Sequence, residues 1–236
     1  MSKIWAIAKK EFKEFFVSPI AYVVVALVCV ISGYFFVIIL FHTQEASLRW
    51  TLGNIELVFL FLSPLITMRV FAEEKKLGTY ELLLTSPIKP SELVLGKFLG
   101  CLFLFLVIVG ILWEYPIILW RIGNPDWSRI LAGYSGLFLL GISCFSIGIF
   151  ASALTENQII AAVVSFSILL LLWVIEWVSG LGGPVISKIC TSISILGKMD
   201  SFNKGVIDIT NVVFYLSFIF VWLFLTERVV EAQRWK

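Results

Sequence analysis

The stretch Ile20-AYVVVALVCVISGYFFVIIL-Phe41 runs for 22 residues without one charged side chain. Wound into an α-helix it rises about 33 Å, enough to cross a hydrocarbon core of ~30 Å. Five further runs of the same kind follow, at Leu52–Val70, Leu93–Trp113, Ile130–Leu154, Ile159–Val178 and Ile209–Thr226. Pro64 interrupts the second, which a membrane helix tolerates when neighbours satisfy the freed carbonyl. Composition agrees: the chain is 60% hydrophobic and 14% charged, with 21 Phe and 9 Trp, against about 25% charged in ordinary globular chains. A soluble enzyme, a disordered chain and a collagen-like fibre are excluded. The net charge of +2 gives no field that points to nucleic acid. The expectation is an all-α integral membrane protein: six transmembrane helices in a single transmembrane domain over 1–236.

The flanks of the spans refine this. Over residues 3–16, Ile4, Trp5, Ala8, Phe12, Phe15 and Phe16 recur at helical spacing, with Lys9, Lys10, Lys13 and Glu14 on the other side. That pattern predicts an amphipathic helix lying in the membrane interface, its aromatics at the acyl boundary. Ser18-Pro19 supplies a cap and a first-turn proline for the first span, and Asp208 a cap for the last. The first apolar run is too long for a cleaved signal peptide and lacks an Ala-x-Ala cleavage site. With the N-terminus inside, twelve Lys and Arg fall on the cytoplasmic side and six outside, which predicts a multi-pass protein with both termini cytoplasmic.

Little in the chain could do chemistry by itself. Cys29, Cys101, Cys144 and Cys190 have no metal-ligand spacing, His42 is the one histidine, and no Gly-x-x-x-x-Gly-Lys-Ser/Thr loop occurs. No catalytic or metal residue is predicted. An intramembrane enzyme would need paired Asp or clustered His within the spans, and neither is found. Two polar segments stand out instead, 71–92 on the cytoplasmic side and 179–205 outside. The first reads Arg69-VFAEEKKLGTYELLLTS-Pro87 and continues IKPSELVLG-Lys97. Leu77, Tyr80 and Leu84 share a face that nothing in the sequence obviously buries, rimmed by Glu73, Glu74 and Glu81. Such a face is a docking surface for another protein or an interfacial helix resting on lipid, for which three carboxylates are ill suited.

The pattern Glu-Glu-x-x-x-Gly-Thr-x-Glu-x-Leu-Leu-x-x-Pro followed by Glu-Leu-x-x-Gly-Lys resembles the cytoplasmic loop of permease subunits of the type 2 ABC transporter family. Gly148-IFASALTENQII-Ala161 is similar to that family's junction between the fourth and fifth helices. Ser18-Pro19-Ile20, Met68-Arg69 and Gly205-Val-Ile-Asp208 resemble, more narrowly, the gliding-motility-associated permease. The resemblance implies the membrane half of a bacterial inner-membrane exporter that pairs with itself or with a sister permease. ATP and Mg would then sit on a separate ATP-binding ABC subunit, with no cofactor on this chain. It places Glu73, Glu74, Gly78, Thr79, Tyr80, Glu81, Leu84 and Pro87 on the loop that couples to the ATPase.

At the fourth-to-fifth junction, Thr155 and Gln158 read as a capping box around Asn157. Two readings stay open there, a structural turn and a second ATPase contact. Gly96 with Gly100, and Cys144, Gly148 and Ser152, are small residues at four-residue spacing that bring helices close, within a subunit or at a dimer seam. Glu56, Glu114 and Glu176 fall in the outer half of the membrane. They line an exit path or are solvated at an aromatic interface belt. Within 179–205, Gly180–Pro184 and the helical spacing of Ile186–Ile195 suggest short helices folding back over the outer mouth. The competing readings are a permease of the same family for another cargo, such as a metal-related factor, a lipid or a peptide, and a membrane anchor or assembly protein that binds a partner without transport.

Overall fold

In the computed structural model the described residues are 3–179 and 194–234, the side chains of Leu84 and of 176–179 excepted. Among them every regular element is helical. Six helical segments are long and apolar enough to cross a membrane, and they coincide with the six runs of the sequence. They are α2 (Pro19–Thr43), α3 (Arg49–Thr67) continued by α4 (Arg69–Lys76), α6 (Pro90–Leu112) continued by α7 (Glu114–Ile122), α8 (Trp127–Leu154), α9 (Gln158–Ser179) and α11 (Ile209–Arg234). The remaining helices are short or amphipathic: α1 (Lys3–Val17), α5 (Thr79–Thr85) and α10 (Met199–Asn203).

Local chemistry sets the ends. Ser18 accepts the Ile20 amide at 3.4 Å ahead of Pro19, whose missing N–H leaves nothing unpaired in a first turn. Asp208 accepts the Thr210 amide at 2.8 Å, and Asp126 caps α8 through Ser128 and Arg129. Proline removes a donor inside two of the spans, at Pro64 and at Pro116. Pro116 cannot bond the Leu112 carbonyl, and the Tyr134 hydroxyl donates to that oxygen at 2.6 Å instead. The third span therefore runs past the expected Trp113 end into α7, whose Tyr115 hydroxyl meets Ser32 Oγ at 2.6 Å.

Helix α8 is the hub. Its buried positions run round its whole circumference, whereas α2, α9 and α11 leave most of their apolar surface on the outside. Such close approach needs small residues. A Cβ on Gly141 would stand 2.1 Å from Phe105 Cζ, and one on Gly148 would stand 1.9 Å from Thr67 Oγ1. The pair Gly96 and Gly100 seats α1 rather than another span: Cβ atoms there would meet Ile7 Cβ at 2.6 Å and Glu11 Cβ at 2.5 Å. So α1 buries Ile7, Ala8, Glu11 and Phe15 in the protein. Trp5, Phe12 and Phe16 remain on its outer face, so the aromatic stripe expected at the acyl boundary is split between protein and surroundings.

At the opposite end from α1, α10 folds back on the bundle. Phe202 is fully buried where Gly136 leaves room, and the Tyr215 hydroxyl donates to the Ile195 carbonyl at 2.7 Å. Gly180–Pro184 and all but the end of Ile186–Ile195 lie outside the described residues, as does Cys190. Replacing Gly141 with Ala should force the fully buried Phe105 ring aside and destabilise the bundle by about 1–3 kcal/mol. Thermal unfolding in detergent reads this as a lowered midpoint, while Gly110→Ala, where no atom lies within 4 Å, should leave it nearly unchanged.

Candidate functional site

The ends of α1, α4, α5, α6, α8 and α11 gather on one face of the bundle, the face that carries both ends of the described chain. The first link is a break in the second span. After Met68 the ladder is interrupted, and Ser152 of α8 inserts its hydroxyl. It accepts the Phe71 and Ala72 amides at 3.0 and 3.1 Å and donates to the Met68 carbonyl at 2.8 Å. One side chain thus ends α3, begins α4 and fixes the angle between them. Gly78, at φ +70°, then turns the chain so that α5 is no continuation of α4.

Under α4 lies a buried charge cluster. Lys97 of α6 is fully buried, and its ammonium is ringed by three oxygens. Glu11 Oε1 of α1 accepts from it, Glu74 Oε2 of α4 pairs at 2.7 Å, and the Val70 carbonyl accepts at 2.7 Å. The face of Phe71 covers the cation at 5.1 Å. Lys10 adds a second cation to Glu74 at 3.1 Å, and Arg69 reaches the Glu14 carbonyl at 3.3 Å and Glu73 at 3.4 Å. Desolvated charges of this kind hold only while every partner is present.

The other side of α4 and α5 is tied to α8 and α11. Lys75 donates to the Ala153 carbonyl, as does Gln233 Nε2 at 3.0 Å, which satisfies a carbonyl left open at the α8 C-terminus. The Tyr80 hydroxyl donates to Gln233 Oε1 at 3.0 Å. Burial pushes the Tyr80 phenol up to about 12, so it stays a donor at any working pH. A cleft of about 590 Å³ runs along this seam, lined by Gly78, Glu81, Thr155, Glu156 and Arg234 among others. It brings together the two sequence motifs that were read separately, and adds the end of the last helix. A second cleft of about 650 Å³ opens between α1 and α4, beside Lys13, Arg69, Glu73 and Leu77.

The predicted loop residues divide into a base and a tip. Tyr80 does not share an open face with Leu77: it is 6% exposed and packs edge-on to Phe71 at 6.1 Å, because Gly78 swings α5 round. Glu74 likewise turns inward rather than forming a rim, being the acid that Lys97 and Lys10 require. Thr79 donates to the Glu74 carbonyl at 3.3 Å, and the exposed Pro87 accepts from Lys3. Glu73 is partly exposed against Arg69 and Glu81 is open. The side chain of Leu84 lies outside the described residues. The open apolar groups are Leu77 and Leu82, 68% and 71% exposed. At the junction, the cap of α9 is Asn157, which accepts from Ile159 at 2.9 Å and Ile160 at 3.5 Å. Thr155 instead accepts the Asn157 amide at 3.1 Å. The expected Thr155/Gln158 box is therefore not formed: α9 starts at Gln158, which makes that residue the first position of the helix and not the third.

Sequence reasoning missed Glu11, Lys97, Ser152 and Gln233 in these roles. A signal existed for the first two. Glu11 falls between Ile7 and Phe15 on the inward side of α1, and Lys97 sits within an apolar run; two misplaced opposite charges imply each other. On the far side of the bundle, Glu56 is 6% exposed, accepts from Asn203 Nδ2 at 2.7 Å and borders a narrow fissure with Leu60, Leu140 and Trp173. Glu114 is exposed on the first turn of α7, and the Glu176 side chain lies outside the described residues. The solvated reading fits Glu114 and fails for Glu56.

Six apolar spans, with a polar, partly open assembly at the end that carries both ends of the described chain, define a multi-pass membrane protein. The profile of the family described as ABC-2 type transporter matches residues 2–175. The match extends from α1 into α9, and the chain belongs to that family: it is the permease subunit of an ABC transporter. Among curated proteins, none matches the chain significantly.

Replacing Lys97 with Met strands Glu11 and Glu74 in a dry site and should destabilise the protein by about 3–5 kcal/mol. Adding Glu11→Gln and Glu74→Gln to Lys97→Met should recover a large part of that loss, because no net charge is then left buried. Denaturant titration of the single and triple variants in micelles checks the sign and the recovery.

Proposed function

We propose that this chain is the membrane-spanning half of an ATP-driven exporter of a bacterial inner membrane, with both termini in the cytoplasm. A separate ATPase subunit, carrying ATP and Mg, docks on α4 and α5. The observation that supports this most directly is the contrast between tip and base. Leu77, Glu81 and Leu82 project from a segment whose base is held by Lys97 on one side and by Ala153 and Gln233 on the other. A load applied at the tip has no slack to absorb it and passes to the spans, as a rigid-body rearrangement requires. The two clefts flanking the segment, with Thr155 and Glu156 on one wall, suit a partner that grips it from both sides. Pairing with a second permease, identical or sister, completes the assembly in this reading. Of the two outer carboxylates whose side chains are described, Glu56 is better placed than the exposed Glu114 to face a translocation path.

The narrower resemblance to the gliding-motility-associated permease rests on residues that have structural work here. Ser18 caps α2, Met68 marks the break under Ser152, and Asp208 caps α11. Those tasks explain the residues without reference to cargo, so the gliding assignment leans on the sequence pattern alone. A membrane anchor that binds an ATPase without transport is the second reading.

A tagged chain recovered from mild detergent should bring an ATPase with it. Leu82→Ser together with Glu81→Lys should abolish that recovery with no change in thermal stability, because both side chains are open. Recovery undiminished by the double change would move the docking surface elsewhere, and an ATPase that never appears would favour an anchor for some other partner.

A further inference from the structure

We propose that the groove between α1 and α6 is a binding site for one anionic phospholipid of the leaflet on the side of the chain termini. Its walls are Trp5 and Phe12 from α1 and Phe103, Leu106 and Val107 from α6, enclosing about 410 Å³, and Lys9 is the one charged residue on its lining. Phe103 stands at the centre, edge-on to Trp5 at 5.5 Å and to Phe12 at 6.1 Å, so the walls are held in place by ring contacts. The depth of the groove follows from helix geometry. Phe103 and Val107 lie six and ten residues beyond Lys97 on α6, a rise of about 9 to 15 Å toward the bilayer centre.

An occupant must therefore be apolar where it meets α6 and polar where it meets Lys9. The charge of its head is decided by the neighbouring lysines. Lys10 is committed to Glu14 and Glu74, and Lys3 to the Pro87 carbonyl, whereas among the described residues no ion pair engages Lys9 or Lys13. No carboxylate lines the groove. A phosphate head beside Lys9 with an acyl chain along Phe103, Leu106 and Val107 meets both demands. A zwitterionic head would leave a second cation against the lysine. This site is independent of the ATPase reading, since it uses the face of α1 turned away from Glu11 and α4.

The test places a photoreactive benzoylphenylalanine at the half-exposed Leu106 position in the full chain, reconstituted in nanodiscs of phosphatidylcholine and phosphatidylglycerol at known ratio. After illumination, intact mass gives the lipid adducts. Phosphatidylglycerol adducts should exceed their bulk fraction about fivefold, the ratio equivalent to about 1 kcal/mol for one basic residue at a membrane surface. Lys9→Gln should return the ratio to bulk, and Lys76→Gln, on the exposed end of α4, should not. Adducts at the bulk ratio in the unmodified background, an excess that survives Lys9→Gln, or a chain-to-chain adduct in place of lipid would each overturn the proposal.

Discussion

The ammonium of Lys97 is the constraint on which this end of the molecule turns. A cation removed from water is tolerated only beside acceptors that repay its desolvation, and here those acceptors come from different elements: Glu11 of α1, Glu74 and the Val70 carbonyl of α4. None of them can be absent without leaving charge stranded. The packing around it serves the same end. Gly96 and Gly100 lie on the α6 face next to Lys97, and their missing side chains let α1 come close enough for Glu11 to reach. The apolar stripe of α1 and the small pair of α6 are thus two halves of one arrangement.

From that cluster the same logic repeats along α8. Where the second and third spans break, backbone groups lose their helical partners and α8 supplies the replacement. Tyr134 answers the carbonyl freed by Pro116, Ser152 answers the break after Met68, and the open carbonyl of Ala153 receives Lys75 and Gln233. In a membrane such groups have no water to turn to. A helix that is buried on all sides and polar at selected turns can therefore fix the angles of its neighbours.

How much of this was legible in the sequence depends on which force wrote it. The spans are readable because a bilayer requires one long apolar run for each crossing, and the caps at Ser18 and Asp208 because a cap acts within three residues. The direction of Tyr80 was not readable. Helical spacing places it beside Leu77, and only the positive φ at Gly78 reveals that α5 faces elsewhere. Thr155 and Asn157 can both cap a helix, and a shift of two residues in the start of α9 selects the second. Lys97 is the clearest case. As a charge within an apolar run it signals that a partner must exist, yet that acid is 86 residues away on α1. Distance in sequence hides a pairing that burial makes compulsory.

The arrangement also bears on how a short helix can transmit anything. Seven residues are too few for α5 to hold its shape alone, so its stiffness is borrowed. Tyr80 lends it through Gln233 to α11, and Thr79 through the Glu74 carbonyl to α4, the Lys97 cluster and α6. Under the proposed coupling role a displacement of Leu82 therefore has two outlets, one at the last span and one at the third. Ser152 forms a third tether at the start of α4, between those outlets. A push that moves α5 as a body must tilt α11 and α6 relative to α8 or break one of these part-buried hydrogen bonds, and tilting is the cheaper response wherever the spans meet lipid instead of protein. In that reading α11, with most of its apolar surface outside the bundle, is the span placed to yield first.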